Sequence, residues 1–405
     1  MPPTPAQAQI IAMADDLARR FASRARAHDA DSSFPHENWR DLHSSGYLRL
    51  VIPQAYGGEG ASVLDMVIGQ ERLGRGCAST ALGAAMLISV LGRAVELQSW
   101  PEPVLAEVCR ELAGQGGGLN NCVTETELGS ISRGGTPLTQ AERVPGGWRV
   151  SGHKIFVTGA PALRFLVTGL VLPPDEQAPK GWMASAIVRN PSPGLRIEET
   201  WRDALSLRAA GNDDVFYDKV FVPDAWVVER RPIGAAPKGA PPGANPWALP
   251  VAAVYLGVGQ AALETACEYA RERVPPSLGA PIAGQLHIQQ AIGSMQIALD
   301  AARTVLQDVA RSWDQDRAAR PALAARIATA KYLATNAACT VTETALRVAG
   351  GFSLTAALPL ERFFRDARAG LFAPPQDDLA LGIAGRAALA ARKAETAPAQ
   401  AKAAE

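Results

Sequence analysis

Between residues 121 and 232 the spacing of apolar residues changes period, and this break constrains the fold more than any other feature. The runs WRVSGHKIFVTG, RFLVTGLVLP, WMASAIVRN, LRIEETW and DVFYDKVFVP are short, rich in β-branched and aromatic residues, and separated by Pro, Gly and Asn. Five such runs within about a hundred residues predict a small antiparallel barrel or sandwich. On both sides the period is helical. IIAMADDLARRFASRARA, LDMVIGQERLGR and ALGAAMLISVLGRAVELQSW repeat apolar positions at three- and four-residue spacing, interrupted by the loop PQAYGGEG.

Beyond the connector PIGAAPKGAPPGANPWALP, Ile288, Ala291, Ile292, Met295, Leu299, Ala302, Val305, Leu306 and Val309 trace one helix face, and Leu323, Ile327, Ala330, Ala334 and Val341 another. Long antiparallel helices packed as a bundle follow from that pattern. The predicted organisation is an N-terminal helical domain (1–120), a middle β domain (121–232), a C-terminal helical bundle (233–388) and a disordered tail (389–405). The tail, which includes ARKAETAPAQAKAAE, lacks apolar anchors.

Forty basic residues balance forty acidic ones, so neither nucleic acid nor an anionic membrane is an expected partner. No window approaches the run of about 18 apolar residues that a membrane span requires, and no secretory pattern opens the chain. Cys77, Cys109, Cys122, Cys267 and Cys339 are scattered and contain no C-x-x-C, which fits reduced thiols and a cytoplasmic location. The histidines are dispersed as well, so no metal site is expected. Gly257-Val258-Gly259-Gln260-Ala261-Ala262 satisfies G-x-G-x-x-A after an apolar run. No alternating strand–helix pattern follows it, so close helix packing is the better account than dinucleotide binding.

Several stretches, in order, carry a resemblance to a known family: Val51-Ile52-Pro53 with Tyr56-Gly57-Gly58, Cys122-Val123-Thr124-Glu125 with Gly129-Ser130, WRVSGHKIFVTG, DKVFVP, and RVAGGFSLTAALPLERFFRDAR. Over about residues 5–388 the chain resembles the acyl-CoA dehydrogenase superfamily. That resemblance implies a mainly α fold with a central β domain, a flavin cofactor (FAD, with FMN as the alternative) and a homodimer or homotetramer. It places Val123 and Thr124 at the flavin ring, Ser130 near the pyrophosphate, Phe156 as the ring-stacking aromatic and Thr158 at N5. Arg273 matches the arginine that reaches a neighbouring subunit's cofactor, and Gly350 and Gly351 match the glycines on the adenosine side.

The sequence departs from the family where the chemistry should be. Alignment through Arg365-Asp366-Ala367-Arg368 puts Pro374 at the usual catalytic glutamate, and the alternative base position falls near Trp247. Proton removal at the α-carbon of an acyl thioester needs a positioned base, and neither residue is one. The family's T-E-P-G-A-G-S-D reads Thr124-Glu125-Thr126-Glu127-Leu128-Gly129-Ser130-Ile131, and its diphosphate and adenine glutamines correspond to Leu286 and Arg347. Asp377 and Glu127 are the candidate substitute bases: Asp377 lies about one turn beyond Pro374, while Glu127 replaces a small turn residue. Glu125, beside the same contacts, reads as a solvated loop acid at this level. Leu207-Arg208-Ala209-Ala210-Gly211-Asn212-Asp213-Asp214-Val215 is similar to the L-R-x-T-G-S-x-D-V pattern of reduced-flavin-dependent monooxygenases, which share the fold.

Three readings follow. The first is dehydrogenation or oxidation of an acyl thioester, carried by CoA or an acyl-carrier protein, or of a related specialised small molecule, with a relocated base. The alternative is a reduced-flavin-dependent monooxygenase. A flavin-binding protein without turnover is the third.

Overall fold

The computed structural model describes residues 2–128, 135–235 and 245–402. Five helices form the N-terminal part: α1 (Pro5–Asp31), α2 (His36–Ser44), α3 (Val63–Gly76), α4 (Ala78–Leu97) and α5 (Glu102–Gln115). Thr4 and Gln7 start α1 with a reciprocal capping box, and Ser62 and Asp65 start α3 in the same way. The C-terminal part comprises α6 (Leu249–Glu272), α7 (Leu286–Gln315), α8 (Ala324–Ala349), α9 (Leu360–Ala369) and α10 (Asp377–Lys402).

Between them lie β1 (Gly118–Cys122), β2 (Gln140–Val144), β3 (Gly147–Val157), β4 (Leu163–Leu172), β5 (Trp182–Arg189), β6 (Leu195–Glu198), β7 (Asp213–Pro223) and β8 (Val227–Pro232). They form one eight-stranded sheet ordered β6-β7-β3-β2-β4-β5-β8, with β1 joining β4 in parallel. This corrects the expectation of a five-stranded antiparallel barrel or sandwich: β2 also meets β4 in parallel, and the sheet is mixed. The strands missed by the sequence reading, GLNNC, QAERV and VVERRP, are short, and the first two are poor in β-branched and aromatic residues.

The two helical parts are not separate bodies, because α3 and α4 pack directly on α6 and share one apolar core with it. Gly74 of α3 and Gly257 of α6 make that approach close. A Cβ on Gly74 would collide with the carbonyl of Val254, and one on Gly257 with the carbonyl of Glu71. Gly257 therefore serves helix packing inside α6, as the sequence reading preferred over a nucleotide loop. Asp314 of α7 accepts the backbone N–H groups of Val63 and Leu64 at 3.2 and 2.9 Å, capping the first turn of α3 from the other end of the chain. Arg303 of α7 donates to Glu71 of α3 at 2.8 Å.

Ala78–Leu97 and Pro246–Glu272 are long and apolar enough by mean hydropathy to cross a membrane, although polar residues interrupt both, and 78% and 89% of their most apolar windows are buried in the protein. Core helices pass the same hydropathy test as membrane spans. The stretch 389–402, expected as disordered tail, has a helical backbone continuous with α10. Alanine, lysine, glutamate and glutamine are good helix formers and can extend a helix without apolar anchors.

Candidate functional site

β3 ends in an irregularity. Its register against β7 shifts between Lys154 and Val157, and Phe156 adopts φ +58°, the left-handed region. That conformation is an outlier for an aromatic residue and persists only where the surroundings enforce it. The result is an aromatic side chain that is 58% exposed at the end of a core strand. The Trp201 ring meets it edge-on, with centroids 5.6 Å apart and planes at 79°. Trp201 is itself fixed, since its indole N–H donates to the Leu207 carbonyl at 3.0 Å and its backbone N–H donates to Asp213 at 3.1 Å.

Beside Phe156 the structure gathers the other predicted ring contacts. The carbonyl of Thr124 accepts the Ile155 N–H at 3.0 Å, so Val123 and Thr124 run along the end of β3. Thr158 is buried, and its carbonyl accepts from the Asn120 side chain at 3.0 Å. Val123, Thr124, Phe156 and Thr158 thus form one shelf where β1 and β3 end. Ser130 lies outside the described residues.

A second group forms at the end of the bundle. The Arg273 guanidinium lies over the Phe352 ring, 5.0 Å from its centroid. Phe352 follows Gly350, at φ +60°, and Gly351, and open space surrounds the position of a Cβ on either glycine. The two groups fit a flavin: a half-exposed aromatic face with backbone groups beside it, and a cation next to a glycine pair with room for a close ligand.

The base candidates fare differently. Pro374 is exposed in the loop before α10. Asp377, at the start of α10, accepts from the Lys331 ammonium at 3.1 Å and from the Asn336 side chain at 3.0 Å. Lys331 is buried, and burial pulls its pKa down against the opposing pull of Asp377. Asp377 therefore compensates a buried cation and begins a helix. Glu127 is exposed on the turn 126–128.

Sequence reasoning missed two carboxylates. Glu125 is buried rather than solvated. Its Oε1 accepts from the Lys154 ammonium at 2.5 Å, from Thr139 N–H at 3.0 Å and from the Thr139 hydroxyl at 2.7 Å, and its Oε2 accepts Leu138 N–H at 2.6 Å. Burial pushes its pKa up, but these donors outweigh burial and hold the carboxyl below its ordinary range. The available signal was Lys154, which falls on the same inward alternation of β3 as Val150.

The second is Glu96. Trp247, at the alternative base position, is buried, and its indole donates to Glu96 Oε2 at 2.8 Å. Oε1 of the same carboxylate accepts from the Trp313 indole at 2.9 Å and from Arg320 at 2.7 Å. A carboxylate does stand beside Trp247, contrary to the sequence reading, but three donors occupy it. His153 is half-exposed on β3. It pairs with Asp214 at 2.7 Å and stacks on Phe216 at 4.1 Å.

Residues 4–97 match the model of the acyl-CoA dehydrogenase N-terminal domain, and residues 249–372 that of the C-terminal domain. YdbM of Bacillus subtilis (strain 168), provisionally named an acyl-CoA dehydrogenase, is 40% identical over 365 residues, covering 89% of this chain and 92% of that protein. The chain belongs to the acyl-CoA dehydrogenase family. Other relatives diverge in chemistry. The 3-sulfinopropanoyl-CoA desulfinase of Paraburkholderia xenovorans (strain LB400) is 30% identical over 370 residues, 90% of this chain and 91% of that one. The L-evernosamine nitrososynthase of a Micromonospora species is 28% identical over 385 residues, 92% and 88% of the two chains. Among solved structures, butyryl-CoA dehydrogenase from Megasphaera elsdenii superposes with a TM-score of 0.82 at 21% identity, covering 96% and 99% of the two chains. KijD3 with FMN and an amino-keto sugar nucleotide superposes at 0.79 with 25% identity, covering 96% and 95%. Similar scores for both show one fold. The protein is a member of a flavin-dependent enzyme family.

Proposed function

We propose that this protein is a flavin-dependent monooxygenase that works with reduced flavin and dioxygen, one oxygen atom passing to a small-molecule substrate and the other leaving as water. The observation that carries the reading is the state of the carboxylates at the two family base positions. Pro374 cannot accept a proton, Asp377 is committed to Lys331 and Asn336, and Glu96 beside Trp247 is held by two indoles and an arginine. Dehydrogenation of an acyl thioester requires a base within hydrogen-bond reach of the α-C–H; oxygenation does not require one there.

FMN or FAD bound at the shelf would supply the electron pair that activates dioxygen. Phe156 would stack on the ring, Val123 and Thr124 would offer backbone and hydroxyl groups along its edge, and Thr158 would face its reactive centre. Arg273 with Gly350 and Gly351 would receive the phosphate-bearing end of the flavin held on a neighbouring subunit's shelf. The stretch 207–215 and the relationship to a nitrososynthase support the same reading.

Acyl-thioester chemistry is the competing reading, favoured by the names of YdbM and the desulfinase. It would need Asp377 or Glu127 as its base, and a lost general base costs roughly 100-fold or more in rate. Asp377→Asn and Glu127→Gln are each expected to turn over within about threefold of the parent, well short of that cost. Steady-state rates of the two variants check this, and a loss of roughly 100-fold in either would restore the dehydrogenase reading.

A further inference from the structure

The run Arg365-Asp366-Ala367-Arg368 sits on α9, far from Phe156 in the chain, yet hydrogen bonds to Leu207 and Trp201 and one ring contact connect the two. Asp366 is 4% exposed, and its Oδ1 accepts the Leu207 N–H at 2.7 Å. The Ser206 hydroxyl donates to the Asp366 carbonyl at 3.4 Å, and Arg365 donates to the Leu205 carbonyl at 3.1 Å. Arg365 is anchored in turn by Asp29 of α1 at 2.5 Å and by Glu361 at 2.7 Å. Three consecutive residues of the β domain, 205–207, are therefore pinned to the bundle.

Leu207 is buried and adopts φ +53°, an unusual conformation for a leucine. Its N–H points to Asp366, and its carbonyl takes the Trp201 indole at 3.0 Å. The Trp201 ring then bears on Phe156, the second left-handed residue. A strained backbone at each end of one path, made of a hydrogen bond and a ring contact, is what an over-determined arrangement looks like.

We propose that Asp366 is a positioning residue for the flavin shelf: through Leu207 and Trp201 it holds Phe156 in its ring-facing pose. The inference rests on the flavin reading and deepens it by adding a control on cofactor affinity from the bundle. Asp366 touches neither cofactor nor substrate.

The electrostatics give the path a pH dependence. Burial pushes the Asp366 carboxyl up to about 6, with the Leu207 N–H and then Arg362 opposing the rise, Asp29 adding to it and Arg365 opposing it. Cys77, at the junction of α3 and α4, and Tyr255 of α6 also face it, and burial raises the pKa of both, keeping them neutral. Above about pH 6 the Leu207 N–H meets a carboxylate, and below it a weaker neutral acceptor.

The test is equilibrium titration of the apoprotein with FMN and with FAD across about pH 5 to 8. The parent protein is expected to lose roughly fivefold to tenfold in flavin affinity as the pH falls through about 6. Asp366→Asn keeps only a neutral acceptor oxygen and should bind with a flat profile, roughly fivefold more weakly than the parent at neutral pH. Asp366→Ala should bind roughly tenfold more weakly at every pH, and Trp201→Phe, which keeps the ring but loses the donor, should fall between them. A purely structural role would lower the stability of Asp366→Ala but leave its flavin affinity and pH profile unchanged. Parental affinity in Asp366→Ala and Trp201→Phe would overturn the proposal, and Trp201→Phe decides alone if Asp366→Ala does not fold. Hydrogen exchange across residues 199–208 needs no flavin: faster exchange in Asp366→Asn or Trp201→Phe supports the path, and unchanged exchange in both overturns it. A parent protein that binds neither flavin would overturn the flavin reading itself, whatever the exchange shows.

Discussion

Replacing Lys154 with methionine is expected to destabilise the protein by about 3–5 kcal/mol. The side chains of Lys154 and Glu125 are 0% and 3% exposed, with the ammonium 2.5 Å from Oε1. Methionine fills similar volume, so the loss comes from the carboxylate left behind, buried with one counter-charge fewer. Burial lowers the Lys154 pKa while the surrounding donors hold Glu125 low. Four donors converge on Glu125, so the pair is ionised. A depressed carboxyl stabilises the fold above the ordinary carboxylate range, and that contribution is lost as pH falls through its folded pKa. The damage should be local as well as global, because the Thr124 carbonyl pairs with Ile155, the residue following Lys154. Chemical denaturation at neutral pH checks the size. Adding Glu125→Gln should recover part of the loss, whereas a single variant within about 1 kcal/mol of the parent would show that the pair contributes little.

The second large effect is expected at Glu96→Ala, at roughly 2–4 kcal/mol. The carboxylate joins Trp247 ahead of α6, Trp313 of α7 and Arg320 to the end of α4. Truncation strands two buried indole N–H groups, each costing about 1–3 kcal/mol when unpaired. Arg320 is more exposed and can turn to water. Glu96→Gln retains one acceptor oxygen and should cost less than alanine. Denaturation followed by tryptophan fluorescence reads both the stability and the changed environment of Trp247 and Trp313. A fall below about 0.5 kcal/mol in Glu96→Ala would contradict this account of the cluster.

These two clusters mark the boundary of what the sequence displays. The change from helical to alternating period around residue 121 was legible because periodicity is local, and so was the packing role of Gly257. Pro374 at the position where the resemblance implies a glutamate follows from the register that the preceding Arg365-Asp366-Ala367-Arg368 sets. Glu96 was not legible, since its three donors lie 151, 217 and 224 residues away and only folding brings them together. Asp377 reads from the sequence as a helix-start residue first and a base second, and only the fold shows Lys331 beside it. Of the predicted ring contacts, Val123, Thr124, Phe156 and Thr158 converge on one shelf, but the left-handed turn that exposes Phe156 leaves no mark in composition.

The central claim is that this family member has replaced α-proton removal with oxygen chemistry. It is tested most directly by rapid mixing of the anaerobically reduced flavoprotein with dioxygen while the flavin absorbance is followed. The account predicts that reoxidation passes through a transient band distinct from those of reduced and oxidised flavin. Single-phase reoxidation without that band, together with anaerobic bleaching of the oxidised protein by an acyl-CoA, would contradict it.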